Sequence, residues 1–214
     1  GGNVRGCAIR IENSSPIINN CILKNNNSSS GDYSAVYISH SPTEILNCQI
    51  SNNTSGIWFD VQSQSTSPKI INCTLVNNQE HGLRSSASNA IPEITNSIVY
   101  SNTNNNTIGA LYFSYSIIEG GFSGTGNIDS DPLFVDAASG NYRLSDYSPA
   151  IGAGTATGAP TTDIDGNIRP NPSGSTPDMG AYENALGTPS APPVPTNLAA
   201  TVGNGVVNLS WTGN

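Results

Sequence analysis

Four stretches in the first half of the chain repeat one pattern: SSPIINNCILKNN from Ser14, SPTEILNCQISNN from Ser41, SPKIINCTLVNN from Ser67 and IPEITNSIVYSN from Ile91. Their prolines, Pro16, Pro42, Pro68 and Pro92, lie 26, 26 and 24 residues apart. A fixed period of this size marks a solenoid, in which each repeat buries its apolar face only against its neighbours.

Within the repeat the periodicity is that of strands. Each unit opens on a short alternating run, AIRIE from Ala8, AVYIS from Ala35, GIWFD from Gly56, GLRSS from Gly82 and ALYFS from Ala110. A period of two sends alternate side chains to opposite faces. Aligning Ile9, Val36, Ile57, Leu83 and Leu111 as core positions turns Arg10, Tyr37, Trp58, Arg84 and Tyr112 outward. After the proline, an aliphatic row Ile18, Ile45, Ile70 and Ile94 predicts a second strand, and a row Cys21, Cys48, Cys73 and Ser97 predicts a third. Asparagines at Asn20, Asn47, Asn72 and Asn96, and again at Asn26, Asn53, Asn78 and Asn102, stand where the coil must bend. Asparagine tolerates the left-handed backbone of a tight corner. No run of 3.6 periodicity long enough for a helical solenoid is visible.

Three strands per turn of about 25 residues, aliphatic ladders inside and asparagines at the corners, resemble the right-handed parallel β-helix of the pectate-lyase-like superfamily. The expected fold is therefore all-β, with coils over 1–118. Residues 119–187 carry GTGNIDSDPLF, YRLSDYSPAIGAG, TDIDGNIRP and PDMGAYE in order. That series resembles the terminal region, called a choice-of-anchor domain, that follows many bacterial β-helices, and it implies an irregular C-terminal cap and an extracellular or cell-surface location. A proline-rich linker is expected at 188–195. Residues 196–214, with Gly203 to Gly205 as a hairpin signal, resemble the first two strands of a fibronectin type III sandwich. Both chain ends read as the middle of elements, so further domains of the same chain are expected.

Charge excludes one class of partner. Fifteen acidic against seven basic residues give a net charge of −8, which repels nucleic acid phosphates and anionic membrane surfaces. No stretch approaches the roughly 20 apolar residues of a membrane span.

The outward row is the candidate binding surface. Tyr37, Trp58 and Tyr112 beside Arg10 and Arg84 offer rings for sugar faces and polar groups for hydroxyls, so an extracellular polysaccharide or cell-surface glycan is the expected partner. An exposed Trp58 predicts that Trp58→Ala weakens glycan contact and leaves stability almost unchanged. Glu12 and Asp60, two coils apart on that face, are weak candidates for a catalytic carboxyl pair. Asp163 and Asp165 in DIDGN have the oxygen-rich spacing of a calcium loop without its bidentate glutamate, and Asx turns explain them equally. The three stacked cysteines are expected to be reduced and buried, since in-register side chains point alike and no CxxC spacing is present. Two functions remain open: an adhesive or structural module of a larger bacterial surface protein, or a polysaccharide lyase or glycoside hydrolase completed by other coils.

Overall fold

A computed structural model describes residues 7–27, 34–60, 67–86, 90–191, 196–203 and 206–212. Fifteen short strands wind into five coils. The first holds β1 (Ile9–Glu12), β2 (Ile17–Asn19) and β3 (Ile22–Lys24), and the second β4 (Val36–Ser39), β5 (Glu44–Leu46) and β6 (Gln49–Ser51). The third is β7 (Ile57–Asp60), β8 (Lys69–Ile71) and β9 (Thr74–Val76), and the fourth β10 (His81–Ser85), β11 (Glu93–Thr95) and β12 (Ile98–Tyr100). The fifth closes with β13 (Asn105–Ile108), β14 (Tyr112–Ser114) and β15 (Ile117–Ile118). Corresponding strands pair in parallel and in register, giving three five-stranded sheets: A (β1, β4, β7, β10, β13), B (β2, β5, β8, β11, β14) and C (β3, β6, β9, β12, β15). The expected all-β parallel solenoid is the observed fold. Among the described residues the only helical piece is one 3₁₀ turn, Ala137–Ser139.

The core is the sum of the ladders. Val36, Ile38, Ile57, Phe59 and Leu83 from sheet A meet Ile45, Ile70 and Ile94 from sheet B and Ile50, Leu75 and Val99 from sheet C in one buried cluster. Asn20, Asn47, Asn72 and Asn96 turn the corner between sheets B and C with φ of 53°, 48°, 51° and 51°. At the corner after sheet C the left-handed residue is the one before the predicted asparagine row: Asn25, Asn52, Asn77 and Ser101. This frees the row itself to build a ladder. Asn26 Nδ2 donates to Asn53 Oδ1 (2.9 Å), Asn53 to Asn78 (3.1 Å), Asn78 to Asn102 (2.8 Å) and Asn102 to Asn106 (2.9 Å). Each Oδ1 also accepts the backbone N–H of the preceding member.

The cysteine row works the same way. The Sγ of Cys21, Cys48 and Cys73 each donates to the carbonyl two residues back, and Ser97 and Ser116 continue the row with hydroxyls making the same bond. Cys73 Sγ accepts the Cys48 N–H at 3.4 Å, and Ser97 Oγ accepts that of Cys73 at 3.1 Å. Serine replaces cysteine without a break because the ladder needs only a short side chain that donates once and accepts once. Burial pushes the Cys73 thiol well above its ordinary range. All three thiols are free, Cys48 and Cys73 fully buried as expected; Cys21, in the first coil, is partly exposed.

The fifth coil departs from the alignment. Ile94 pairs with Phe113, 19 residues on, whereas Ile70 pairs with Ile94, 24 residues on. The run ALYFS is therefore not the fifth strand of sheet A: Tyr112 lies in sheet B opposite Glu93, and sheet A is completed by Asn105–Ile108, with Thr107 opposite Leu83. The polar stretch NNTI carries no apolar alternation. Gly109, at φ +89°, makes the short turn into sheet B where any Cβ would strike the Ser85 carbonyl.

The C-terminal region divides in two. Residues up to Ile128 close the last coil: Phe122 packs on Phe113 at 4.8 Å, and Ile128 bridges to Ile117. The rest, including the hairpin of β16 (Phe134–Asp136) and β17 (Asn141–Leu144), lies along the outside of sheet C. Met179, Ala150, Ile151 and Leu144 bury Ile98 and Ile117, and Ala181 and Tyr182 with Tyr142 bury Val76. Ile22, the first-coil equivalent of Ile98, remains 55% exposed. The first asparagine row anchors this layer: Asn47, Asn72 and Asn96 donate side-chain Nδ2 to the carbonyls of Thr162, Asp178 and Thr155. Strands β18 (Thr196–Gly203) and β19 (Val206–Thr212) form an antiparallel hairpin. The predicted turn residues Asn204 and Gly205, and residues 192–195 of the linker, lie outside the described residues.

Candidate functional site

On the outer face of sheet A, Arg10, Tyr37, Trp58 and Arg84 stack in one row across four coils, as the repeat alignment requires. The expected exposure does not hold. Tyr37 is 4% and Trp58 7% accessible, while Tyr112, displaced to sheet B, is 56% exposed and away from the row. The arginines act as lids. Arg10 lies 4.9 Å from the centroid of Tyr37 and Arg84 4.3 Å from that of Trp58. The coil spacing of about 4.8 Å suits a guanidinium laid on the ring of the next coil. The two rings meet edge-on at 5.3 Å and 87°, so they present no common flat platform. The Tyr37 hydroxyl donates to Asp60 at 2.7 Å. This reverses the sequence expectation for Trp58. Trp58→Ala is now expected to lower stability by about 2–3 kcal/mol, as read by chemical denaturation, and a loss under about 0.5 kcal/mol would return the ring to the surface.

Glu12 and Asp60 do stack through Ser39, two coils apart. Each is committed to its own sheet: Glu12 pairs with Arg10 at 2.5 Å, and Asp60 accepts from Tyr37 and, at 3.1 Å, from Ser86 Oγ. Between them Ser39 Oγ meets His40 Nδ1 at 2.8 Å. Among the described residues no carboxylate is bonded to that ring.

The aspartates of the terminal motifs serve the fold. Asp163 Oδ1 accepts the N–H groups of Asp165 and Asn167, and Oδ2 accepts from Asn167 Nδ2 and the Glu183 N–H. Asp165 Oδ2 takes Arg143 at 2.7 Å. Asp163 forms an Asx turn with both oxygens accepting hydrogen bonds, and Asp165 is an ion-pair partner, so both carboxylates are engaged within the fold. Among the described residues no group of three His, Cys, Asp or Glu is disposed to hold a metal.

TDIDGNIRP and PDMGAYE meet in one buried cluster. Arg169 Nε pairs with Glu183 Oε2 at 2.7 Å, both side chains fully buried, Arg169 Nη1 donates to Asn47 Oδ1 at 2.5 Å, and Nη2 donates to the Gly180 carbonyl. Burial and then the neighbouring Glu183 push the Asp178 carboxyl up to about 7, against the N–H groups of Asn184 and Gly152 that it accepts. The motifs clamp the terminal layer to the second coil.

Residues 2–123 match the family described as the right-handed β-helix region. The chain belongs to that family. No curated protein and no solved structure matches this β-helix. Among its described residues no helix is long and apolar enough to cross a membrane.

One surface of this β-helix was missed from sequence. Two hollows of about 300 Å³ each lie between the corner after sheet C and the β16–β17 hairpin. The first is lined by Tyr100, Phe134, Tyr142, Ser101 and Asp131, the second by Lys24, Asn25, Asn52, Ser51 and Ser139, and both share Asn77 and Ala137. They lie side by side along the coils, with Asn77 and Ala137 between them. Phe134 and Tyr142 pack edge-on at 5.3 Å, and Asn77 Nδ2 donates to the Tyr142 hydroxyl at 3.0 Å. Burial, with Asp131 and Glu119 nearby, pushes the Tyr100 phenol upward, so it stays a neutral donor. The only sequence signal was the corner row Asn25, Asn52 and Asn77, whose facing wall comes from residues some 60 positions or more further along.

Proposed function

We propose that this β-helix is a non-catalytic, rigid module of a larger extracellular or cell-surface protein, adhesive in role and in contact with carbohydrate. The observation that supports it most is the row on sheet A, where rings and charges that a catalytic cleft would leave open are spent on one another. The terminal layer clamped along sheet C adds stiffness to the rod. Net charge of −8 fits a soluble surface with no affinity for nucleic acid. Incubation with pectic, cellulosic, xylan and mannan polysaccharides should release neither new reducing ends nor unsaturated uronates. Sustained product release that scales with protein concentration would make it the lyase or hydrolase instead.

A further inference from the structure

We infer that the docking of the terminal layer on the coils is a proton-sensitive latch, closed in mildly acid surroundings and loosened in alkaline ones, with Asp178 as the group that takes up the proton. Geometry carries this. Where the layer meets the second and third coils, three buried carboxylates, Asp163, Asp178 and Glu183, share one enclosure with a single buried guanidinium, Arg169. Arg169 is spent on Glu183, on Asn47 and on the Gly180 carbonyl. Among the described residues no cation is bonded to Asp178, whose oxygens accept only backbone N–H groups, Gly152 at 2.7 Å and Asn184 at 2.6 Å. Those bonds gather three segments of the layer at one carboxyl, and the Asp178 carbonyl accepts Asn72 Nδ2 of the third coil at 3.0 Å. The latch turns on this residue.

The surroundings of Asp178 favour the neutral acid. From its own segment comes Glu183, whose Oε2 accepts the Asp178 N–H at 3.3 Å, and from the segment before it Arg169 and Asp163, both bonded to Glu183. From the turn after β17 comes Asp146, bonded to Asn184 Nδ2 at 3.2 Å. Residues 147–162 carry no charged side chain, and the coils face the site with the amides of Asn72 and Asn96 and the Cys73 thiol near Arg169. With every group ionised, three carboxylates would stand against one guanidinium away from water, and a proton on one of them relieves both repulsion and desolvation. Burial and Glu183 outweigh the two N–H groups and Arg169, so Asp178 titrates at about 7. An aspartate released into water titrates at roughly 3.9. Between these values the docked layer holds a proton that the released layer does not, so docking strengthens as pH falls below about 7 and weakens as pH rises through it. Release uncovers Val76, Ile98 and Ile117 on the outside of sheet C.

The test uses the whole chain, with amide resonances and hydrogen exchange followed by NMR. The Gly152 and Asn184 amides, which bond the carboxyl directly, should titrate together with a midpoint near 7. Exchange protection over residues 150–184, corrected for intrinsic rates, should be at least about tenfold higher at about pH 5 than at about pH 8, while the Ile50 and Leu75 amides inside the coils change little. Glu183→Gln removes the adjacent charge and leaves Arg169 to Asp178, so the midpoint should fall by about one pH unit or more. Asp178→Asn should abolish the pH dependence of protection; if that variant fails to dock the layer, the native titration and Glu183→Gln still decide. No titration of the two amides between about pH 5 and pH 8 overturns the latch. Titration with unchanged protection also overturns it, because the proton then binds without linkage to docking, as does a layer better protected on the alkaline side.

Discussion

Arg169→Ala should release the terminal layer from the coils and cost about 3–5 kcal/mol. The guanidinium is buried, paired with the buried Glu183, and bonded to Asn47 of the second coil and to the Gly180 carbonyl. Its removal leaves an uncompensated carboxylate in the interior, with Asp163 and Asp178 nearby adding like charge. It also cuts a tie that spans 122 residues of sequence. Equilibrium denaturation and limited proteolysis read the two consequences: a lower midpoint, and new cleavage between 150 and 187. Glu183→Ala should cost a similar amount, and the double variant less than the sum, since most of each single loss is the charge left behind. A fully additive cycle, or singles within about 1 kcal/mol of the native protein, would mean that the pair is not the clamp.

The second large effect lies inside the coils. Asn78 is fully buried, accepts the N–H and side-chain Nδ2 of Asn53, and donates to Asn102 Oδ1 and the Ile50 carbonyl. Alanine strands partners in the two flanking coils at once. At about 1–3 kcal/mol for each buried group left unpaired, the expected loss is on the order of 4 kcal/mol, with a steeper fall in cooperativity than a surface change produces. Asn26→Ala is the internal comparison: it stands at the first coil and donates to Asn53 and Lys24, so its loss should be about 1 kcal/mol. Equal losses at the two positions would sink the account of the ladder as a buried, cumulative network.

The solenoid was legible because each coil states its chemistry separately and the statements agree. Apolar rows, corner asparagines and the cysteine row recur at one period, so a single alignment predicts parallel in-register sheets, and four of the five coils follow it. The alignment fails at Ala110, where the fifth coil shortens and a polar strand without alternation replaces the apolar one; a more conspicuous apolar run nearby drew the register. Orientation along the outer row was legible too, but accessibility was not. Period two says that Tyr37 and Trp58 point away from the core. Whether they meet water depends on where the arginines of neighbouring coils place their guanidinium groups, which is a contact between residues more than twenty apart in the chain.

By itself, then, the sequence determined the local matters: three strands per coil, which faces turn inward, the left-handed asparagines at the corner between sheets B and C, and the motif residues of the terminal region. Tertiary structure decided how those motifs are used. Asn47, Asn72 and Asn96 look like corner residues and nothing else, yet they also moor a layer that arrives more than fifty residues later, and Asp163, Arg169, Asp178 and Glu183 become a buried clamp only once that layer folds back. The two hollows exist only between the coils and that layer. Repetition makes nearest-neighbour contacts readable because the same side chains meet the same partners at a fixed interval, whereas a single non-repeating segment laid along the outside has no period, and its partners are set by the packing of the whole chain.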